Sequence, residues 1–385
     1  MSQRVADAIT LPAAASPRAA RRRLWPRRLL LLAASLIVTW MLGEVSVVLA
    51  FGEQVKFPRH VVGAPWGLRF NDPHSTYRHK SADGAWDFHI NGQGMRDERE
   101  FARAKPAGTA RILSLGDSYT IGYEVDAQQT FSAVMERELS ADRRVEVLNA
   151  GVSGFSNAEA CLYLERELLS YQPDLVVVSF SCNDLVDNVR TGLFRMEGDK
   201  LLSWNESYVP AGGFADWLNR SSVFNVLSER SNLFVFAKER LTLLIKRDMV
   251  VENERNLAAV ENERGVPAAD NATVDPETLC QRRLAAAIFE RMYGNLHERG
   301  IPLVIHSIAA QAGPWDRPLE EMFPLAEFPT RRPGLLFVPS KKVLDPLVGK
   351  QVLYNQRSHF HWTAIAHELM GKELARAIAE AKLLP

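Results

Sequence analysis

The sequence has no excess of charge of either sign and few cysteines. Lysine plus arginine and aspartate plus glutamate each number 46, and three of the 385 residues are cysteine. Balanced charge, and the lack of a basic stretch rich in aromatic residues, argue against a nucleic-acid partner. Three cysteines are too few for a disulfide scaffold, and their spacing fits no zinc site. We expect no metal and three free thiols, with Cys182 as a small core filler; a single disulfide in an oxidising compartment is the alternative.

One long apolar run, residues 29–51, lies near the start of the chain. Its 23 residues would form a helix of roughly 34 Å, enough to span a bilayer, and its only charge is Glu44. Six arginines between residues 18 and 28 precede it, which favours a cytoplasmic amino terminus and places everything after Phe51 outside. A cleaved signal peptide is the alternative, because Val48-Leu49-Ala50 has the small-residue character of a cleavage site. The length of the run and of its leader favours an uncleaved anchor.

Alternating patterns follow the anchor. Short apolar runs predict strands at 111–115, 145–148, 175–180, 301–305 and 335–338. Helical periodicity predicts helices at about 130–140, 158–169 and 281–299 and at the carboxyl end, to about Ala381. This alternation is typical of an α/β doubly wound fold with a parallel sheet, in which ligands bind at the carboxyl ends of the strands. Residues 190 to 280 break the rhythm with tryptophans and a charged run, so we interpret them as an insertion.

We therefore expect four parts in the chain. These are a basic cytoplasmic tail (1–28), a transmembrane helix (29–51), a membrane-proximal segment (52–108) and a main α/β domain (109–385) that carries the insertion at about 190–280.

Gly116-Asp117-Ser118 ends the first strand of the main domain. A serine at such a turn has its hydroxyl free of the core and backbone N–H groups beside it, which is the arrangement of a nucleophile with part of an oxyanion hole. A turn followed by a helix N-cap is the structural alternative. On this stretch alone, both interpretations stand.

Three further motifs occur in order behind it. Asn149-Ala-Gly-Val-Ser-Gly154 and Ser181-Cys-Asn-Asp184 follow the next two strands, and His361-Trp-Thr-Ala-Ile-Ala-His367 precedes the last helix. Together with the serine block, they resemble the SGNH (GDSL-type) hydrolase superfamily, in a membrane-anchored bacterial branch. Ile90-Asn-Gly-Gln-Gly-Met-Arg96 also resembles a segment that precedes the serine block in this branch. The resemblance covers roughly residues 85 to 190 and 284 to 385.

The resemblance implies a three-layer α/β/α, flavodoxin-like fold and roles for individual residues. Ser118 would be the nucleophile and His361 the base. The backbone N–H groups of Ser118 and Gly154 and the side-chain amide of Asn183 would form the oxyanion hole. Ser181 stands where the family has glycine, and we expect this to change the turn more than the chemistry. No cofactor is implied.

The departure from the family lies at the acid. The family usually has an aspartate two or three residues before the histidine, where this chain has His359 and Ser358. Three interpretations are open: a Ser118–His361 dyad with a backbone carbonyl that orients the ring, a carboxylate from elsewhere such as Asp187 or one in the insertion, or an inactive or specialised site. We expect His359 to have an accessory role at most, because an imidazole is a poor substitute for a carboxylate.

The resemblance predicts an extracytoplasmic serine esterase anchored in the bacterial inner (cytoplasmic) membrane by one helix, with the catalytic domain in the periplasm. Its partners would be an acyl ester or acylated glycan substrate and the membrane. The alternatives are an O-acyltransferase that modifies an envelope polysaccharide, and a non-catalytic protein that binds a glycan or partner on the same fold.

Overall fold

A computed structural model of the chain describes residues 17–51, 61–81, 83–205, 217–218, 221–238, 240–241, 276–311, 318–355 and 360–385. The chain divides into two compact units, Met1–Gly52 and Glu53–Pro385.

The first unit contains one long helix, α1 (Pro17–Phe51). Within it, Pro26–Ala50 is long and apolar enough to cross a membrane, and its position near the amino terminus fits a signal sequence equally well. The large apolar side chains between Leu29 and Leu49 are mostly exposed within the unit. The helix therefore fits the predicted membrane anchor by length and composition.

A five-stranded parallel sheet forms the centre of the second unit. Its strands are β5 (Thr109–Leu115), β6 (Arg144–Asn149), β7 (Leu175–Phe180), β10 (Leu303–Ser307) and β11 (Leu335–Pro339). Their order across the sheet is β6-β5-β7-β10-β11, and every residue of β5, β7 and β10 is buried. Continuous apolar strands of this kind are expected where helices cover both faces of a parallel sheet. The predicted fold class is confirmed.

Helices cover both faces of the sheet. On one face lie α3 (Phe131–Leu139) and α9 (Ala364–Glu380); on the other lie α4 (Asn157–Arg166), α5 (Asp184–Thr191) and α7 (Pro276–Glu298). α3 and α9 approach closely at Gly371, where an added Cβ would lie 2.4 Å from the Cβ of Val134. The result is a three-layer α/β/α sandwich with one hydrophobic core on each side of the sheet.

The strand order reverses between β5 and β7, which are neighbours in the sheet although β6 lies between them in sequence. In an open α/β sheet, the carboxyl ends of the two strands at such a reversal border the crevice in which ligands bind. The short helix α2 (Ser118–Ile121) follows β5 at this point, and α5 follows β7. Ser118 and Asn183 therefore start from adjacent strand ends.

Two small antiparallel hairpins precede the sheet, in a region where the sequence shows little periodicity. They pair β1 (Val61–Gly63) with β2 (Arg69–Asn71) and β3 (Thr76–Lys80) with β4 (Ala85–His89). Tyr77 and Phe88 of the second hairpin pack with Ile121 and Tyr123, just after the serine turn. This hairpin thus reaches the neighbourhood of Ser118.

The remaining described elements are short. A hairpin of β8 (Phe194–Glu197) and β9 (Lys200–Ser203) and the helix α6 (Ser222–Arg230) lie in the predicted insertion, and α8 (Ser340–Leu344) follows β11. Most of the charged run in the predicted insertion lies outside the described residues. All three cysteines are free thiols.

Candidate active site

Ser118 is presented by a sharp turn between β5 and α2. Gly116 has a φ of +151°, and an added Cβ there would lie 2.3 Å from the Thr120 hydroxyl oxygen, so only glycine fits the position. Asp117 is the N-cap of α2, and its carboxylate accepts a hydrogen bond of 3.0 Å from the Tyr119 N–H. α2 ends after one turn, at Gly122 in the left-handed conformation. The serine is therefore fixed at the carboxyl edge of the sheet, partly buried.

His361 reaches the serine from the loop before α9. The next residue, Trp362, is fully buried between the two helices of that face, and the His361 carbonyl accepts a hydrogen bond of 2.7 Å from the Asn355 N–H. The Tyr119 hydroxyl donates to the Phe360 carbonyl at 3.1 Å, which ties this loop to α2. As a result, His361 Nε2 and Ser118 Oγ lie 2.8 Å apart. The structure thus brings together the two residues predicted as nucleophile and base.

A carboxylate that the sequence analysis did not single out lies on the other side of the imidazole. Glu124 Oε2 is 3.8 Å from His361 Nδ1, and its side chain is fully buried. The other oxygen of Glu124 is 3.9 Å from Nε2 of His79, a buried residue of β3. Glu124 lies six residues after Ser118 in sequence, whereas the family's acid lies just before the histidine, so the sequence pattern gave no signal for it.

Gly154 lies in the loop after β6, which packs directly on the serine turn. The Val152 N–H donates to the Gly116 carbonyl at 3.0 Å, and the Asn149 side chain donates to the Thr120 carbonyl at 2.9 Å. Gly154 itself has a φ of +70°, and its carbonyl accepts a hydrogen bond from Arg69 of β2. Because the Gly154 carbonyl is hydrogen-bonded to Arg69 of the β1–β2 hairpin, the loop conformation at Gly154 is fixed.

Asn183 lies at the start of α5, at the end of the neighbouring strand β7. Its side-chain Nδ2 donates to Asp187 Oδ2 at 3.1 Å and lies 3.5 Å from Asp117 Oδ2. Asp187 also pairs with Arg190 at 3.3 Å. The contacts of Asp187 are therefore with Asn183 and Arg190, and the carboxylate found beside His361 is that of Glu124.

Ser181 forms a polar cluster behind the nucleophile. Its hydroxyl lies 2.7 Å from Asp117 Oδ2, 2.6 Å from Asn183 Oδ1 and 3.2 Å from Asp184 Oδ2. Burial raises the pKa of both the Asp117 and the Asp184 carboxyl groups above their usual value. Ser181, which stands where the family has glycine, is thus hydrogen-bonded within this cluster. Cys182 beside it is exposed, so its prediction as a core filler is wrong.

His359 falls outside the described residues. Among the residues that the structure describes, no group of three or more histidine, cysteine, aspartate or glutamate side chains is arranged to hold a metal ion.

Comparison with known proteins gives one family match. Residues 114–327, more than half of the chain, match the GDSL-like Lipase/Acylhydrolase family. No curated protein matches the sequence significantly.

Several solved structures match the chain at low similarity. A protein assigned to the G-D-S-L lipolytic family from Desulfitobacterium hafniense has 11% identity and a TM-score of 0.37, over 70% of this chain and 99% of that one. The acetylxylan esterase Axe2 from Geobacillus stearothermophilus has 12% identity and a TM-score of 0.37, over 70% of this chain and 94% of that one.

A two-domain esterase, CEX, described as active on acetylated mannans, has 12% identity and a TM-score of 0.36, over 72% of this chain and 52% of that one. The family match, which spans the end of β5, the serine turn and the strands β6, β7 and β10, decides the assignment. The chain belongs to the GDSL-like lipase/acylhydrolase family and is a serine hydrolase of ester bonds.

Proposed function

We propose that this chain is a membrane-anchored, extracytoplasmic esterase in which Ser118 forms an acyl-enzyme and His361 is its base. The observation that carries the proposal is the 2.8 Å approach of His361 Nε2 to Ser118 Oγ at the carboxyl end of the sheet. This distance lies within the reach that a general base needs to take the proton of a nucleophile. The two residues are 243 positions apart in sequence, so the whole fold is needed to bring them together.

The proposed reaction has two steps. Ser118 Oγ attacks the ester carbonyl carbon while its proton passes to His361 Nε2, and a tetrahedral oxyanion forms. His361 then gives that proton to the leaving alkoxide, the alcohol departs, and the acyl group remains on Ser118. In the second step, water attacks the acyl carbon, loses its proton to His361, and the free acid is released as Ser118 regains its proton.

The oxyanion would be held by the backbone N–H groups of Ser118 and Gly154 and by the Asn183 side-chain amide. Asn183 Nδ2 carries two protons, of which one is directed to Asp187 at 3.1 Å and the other makes only a long contact of 3.5 Å with Asp117. An oxyanion could replace this long contact as the partner of the second proton, with no strong hydrogen bond lost. Loss of one such donor typically costs about 2.7–4 kcal/mol of transition-state stabilisation.

The amino-terminal part would fix the enzyme at a membrane. In this proposal residues 1–28 remain in the cytoplasm, 29–51 span the inner membrane, and 52–108 lead to the hydrolase domain, 109–385, in the periplasm. The apolar stretch Pro26–Ala50 and the arginines before it support this arrangement. An acyl ester or an acylated glycan of the envelope is the substrate class that such a location would offer.

Labelling with a fluorophosphonate probe tests the proposed nucleophile. We expect the full chain in detergent to be labelled and Ser118→Ala to lose both labelling and at least about 10³-fold in kcat for an activated acetyl ester. Ser140→Ala, at the exposed end of α3, is the matched control and should behave as the parent. Labelling that survives Ser118→Ala, or a folded parent that neither labels nor hydrolyses, would refute the proposal.

The fate of the acyl group separates esterase from acyltransferase. With a labelled acyl donor and a glycan acceptor, an esterase releases free acid whether or not the acceptor is present. Transfer of the label to the glycan would replace the esterase assignment by the O-acyltransferase alternative.

A further inference from the structure

We infer that Glu124 is the carboxylate that positions His361, with His79 holding the other oxygen of that carboxylate. This inference rests on the proposed roles of Ser118 and His361. Glu124 would take the place of the aspartate that the family has just before the histidine. It lies six residues after Ser118, and its Oε2 faces His361 Nδ1 at 3.8 Å.

The position of Glu124 is held by its backbone as well as by its side chain. Its φ is +65°, a left-handed conformation that is strained for a residue with a side chain. The buried guanidinium of Arg96 donates to the carbonyls of Ile121 and Gly122 on one side and of Val125 on the other. A strained residue so fixed keeps its carboxylate at one place, as a positioning group requires.

His79 supplies the second contact of the carboxylate. Its Nε2 lies 3.9 Å from Glu124 Oε1, and both side chains are fully buried. Its ring packs edge-on against Tyr123 with centroids 5.1 Å apart, and Tyr123 in turn lies 5.8 Å from the His361 ring. The hairpin β3–β4, which precedes the sheet in sequence, thus contributes His79 to this group of side chains.

The chemical role proposed for Glu124 is limited to stabilising and orienting the His361 ring. When Ser118 loses its proton to Nε2, the ring becomes an imidazolium whose Nδ1–H faces a carboxylate in a water-poor site. The carboxylate stabilises that cation and selects the tautomer with the proton on Nδ1; it takes no proton itself. At 3.8 Å the pair is longer than a hydrogen bond, and such contacts tighten when substrate binds.

Other ionisable groups lie around Glu124, His361 and His79, and none of them is changed in the variants compared below. They come from α2, the loop after it, the segment after β4, and α9: Tyr119, Tyr123, Arg96 and His367.

Kinetics of three substitutions at position 124 test the inference. Glu124→Gln keeps the shape and removes the charge, and we expect kcat to fall 10²- to 10⁴-fold with KM changed less than about three-fold. Glu124→Gly removes the carboxylate and relieves the left-handed strain, so a similar loss of kcat in a protein at least as stable as the parent excludes misfolding. Glu124→Asp keeps the charge and should retain more activity than Glu124→Gln. Asp126→Asn, two residues on and exposed, should match the parent.

If Glu124→Gln and Glu124→Gly both stay within three-fold of the parent kcat, the inference is wrong. A measurement that needs no turnover distinguishes failure of this inference from failure of the proposed function. In full-length Ser118→Ala protein with ¹⁵N-labelled histidine, the His361 signals, assigned with His361→Asn, should show the proton on Nδ1. Adding Glu124→Gln should shift that ring towards a mixture of tautomers, and an unchanged tautomer would overturn the inference even if the parent proves inactive.

Discussion

Ser181 is the residue whose substitution tells most about the polar cluster behind the nucleophile. One hydroxyl has one proton, yet Ser181 Oγ faces oxygens of Asp117, Asn183 and Asp184 at 2.6–3.2 Å. It can donate to only one of them at a time. The raised pKa values of the two aspartates fit this shortage of donors, because a protonated carboxyl group can itself donate.

Ser181→Ala should therefore destabilise the fold. Loss of the hydroxyl leaves the buried Asp117 Oδ2 with only the long contact of 3.5 Å from Asn183 Nδ2, and we expect the free energy of unfolding to fall by about 1–3 kcal/mol. The hydrogen bond from Ser181 lowers the pKa of Asp117, so the loss should grow as the pH rises and Asp117 ionises. Urea unfolding at pH 5 and pH 8 measures it. Equal stability of parent and variant at both values would show that this hydroxyl contributes nothing.

Residue-scale reasoning from the sequence found the serine and the histidine but not Glu124. Ser118 carries a local signal, a strand followed by Gly-Asp-Ser, and His361 lies just before a helix in a familiar block. Glu124 has no such signal. Its neighbours His79 and His361 come from positions 45 residues before and 237 residues after it, and only the folded chain shows that the three meet.

At the scale of elements, the sheet was predictable because its strands are continuous apolar runs. The predicted strand 175–180 agrees with β7 at both ends, and the predicted 301–305 lies two residues before β10. The sequence predicts a short strand and turn over Phe88–Arg96, and the structure has β4 at Ala85–His89, but β1, β2 and β3, with three to five residues each, were not predicted. The hairpin β3–β4 packs on Ile121 and Tyr123, just after the serine turn, and this contact between distant parts of the chain cannot be read from the local sequence.

The approach of the loop after β6 to α2 gives a prediction at this scale. A Cβ on Gly151 would lie 2.3 Å from the Ile121 backbone nitrogen, too close for any shift of a side chain to relieve. We expect Gly151→Ala to displace α2 together with Ser118, lowering kcat and the rate of fluorophosphonate labelling at least 10-fold. The measurement is labelling rate against time, with thermal unfolding recorded on the same samples.

Gly294→Ala is the matched control for that substitution. Gly294 lies inside α7, and an added Cβ there would meet nothing within 4 Å. Alanine favours a helix interior over glycine by about 1 kcal/mol, so this variant should be slightly more stable and equally active. Equal labelling rates for the two glycine variants would show that the contact of the loop with α2 does not position the serine.

At the scale of the whole molecule, the hydrolase unit carries two buried neutral histidines on the α3–α9 side of the sheet. Burial lowers the pKa of His306 to about 4 and that of His367 to about 3. His306 pairs with the Val338 carbonyl at 3.1 Å through Nδ1, and His367 Nδ1 accepts from the Phe131 N–H at 3.1 Å. Protonation of His367 Nδ1 would break that bond, which joins the start of α3 to α9.

These histidines make the fold sensitive to acid. In the unfolded chain they take up protons near pH 6.5, whereas in the folded chain they do so only near pH 4 and 3. Between these limits the unfolded state binds more protons, so the free energy of unfolding falls as the pH falls, by roughly 1.4 kcal/mol per histidine for each pH unit. We expect the contribution of these histidines to be complete above pH 7 and to be lost steeply from about pH 6 to 4, measured by urea unfolding across that range.

His367→Asn isolates the contribution of one group. Asparagine can still accept the Phe131 N–H but does not titrate, so the variant should be less stable than the parent at pH 7 and show a shallower decline towards pH 4. His89→Asn, at an exposed position of β4, should keep the parent slope. A decline in stability as steep for His367→Asn as for the parent would mean that groups other than His367 set the acid unfolding. Asp117 and Asp184 would not be those groups, because their raised pKa values make stability fall as the pH rises.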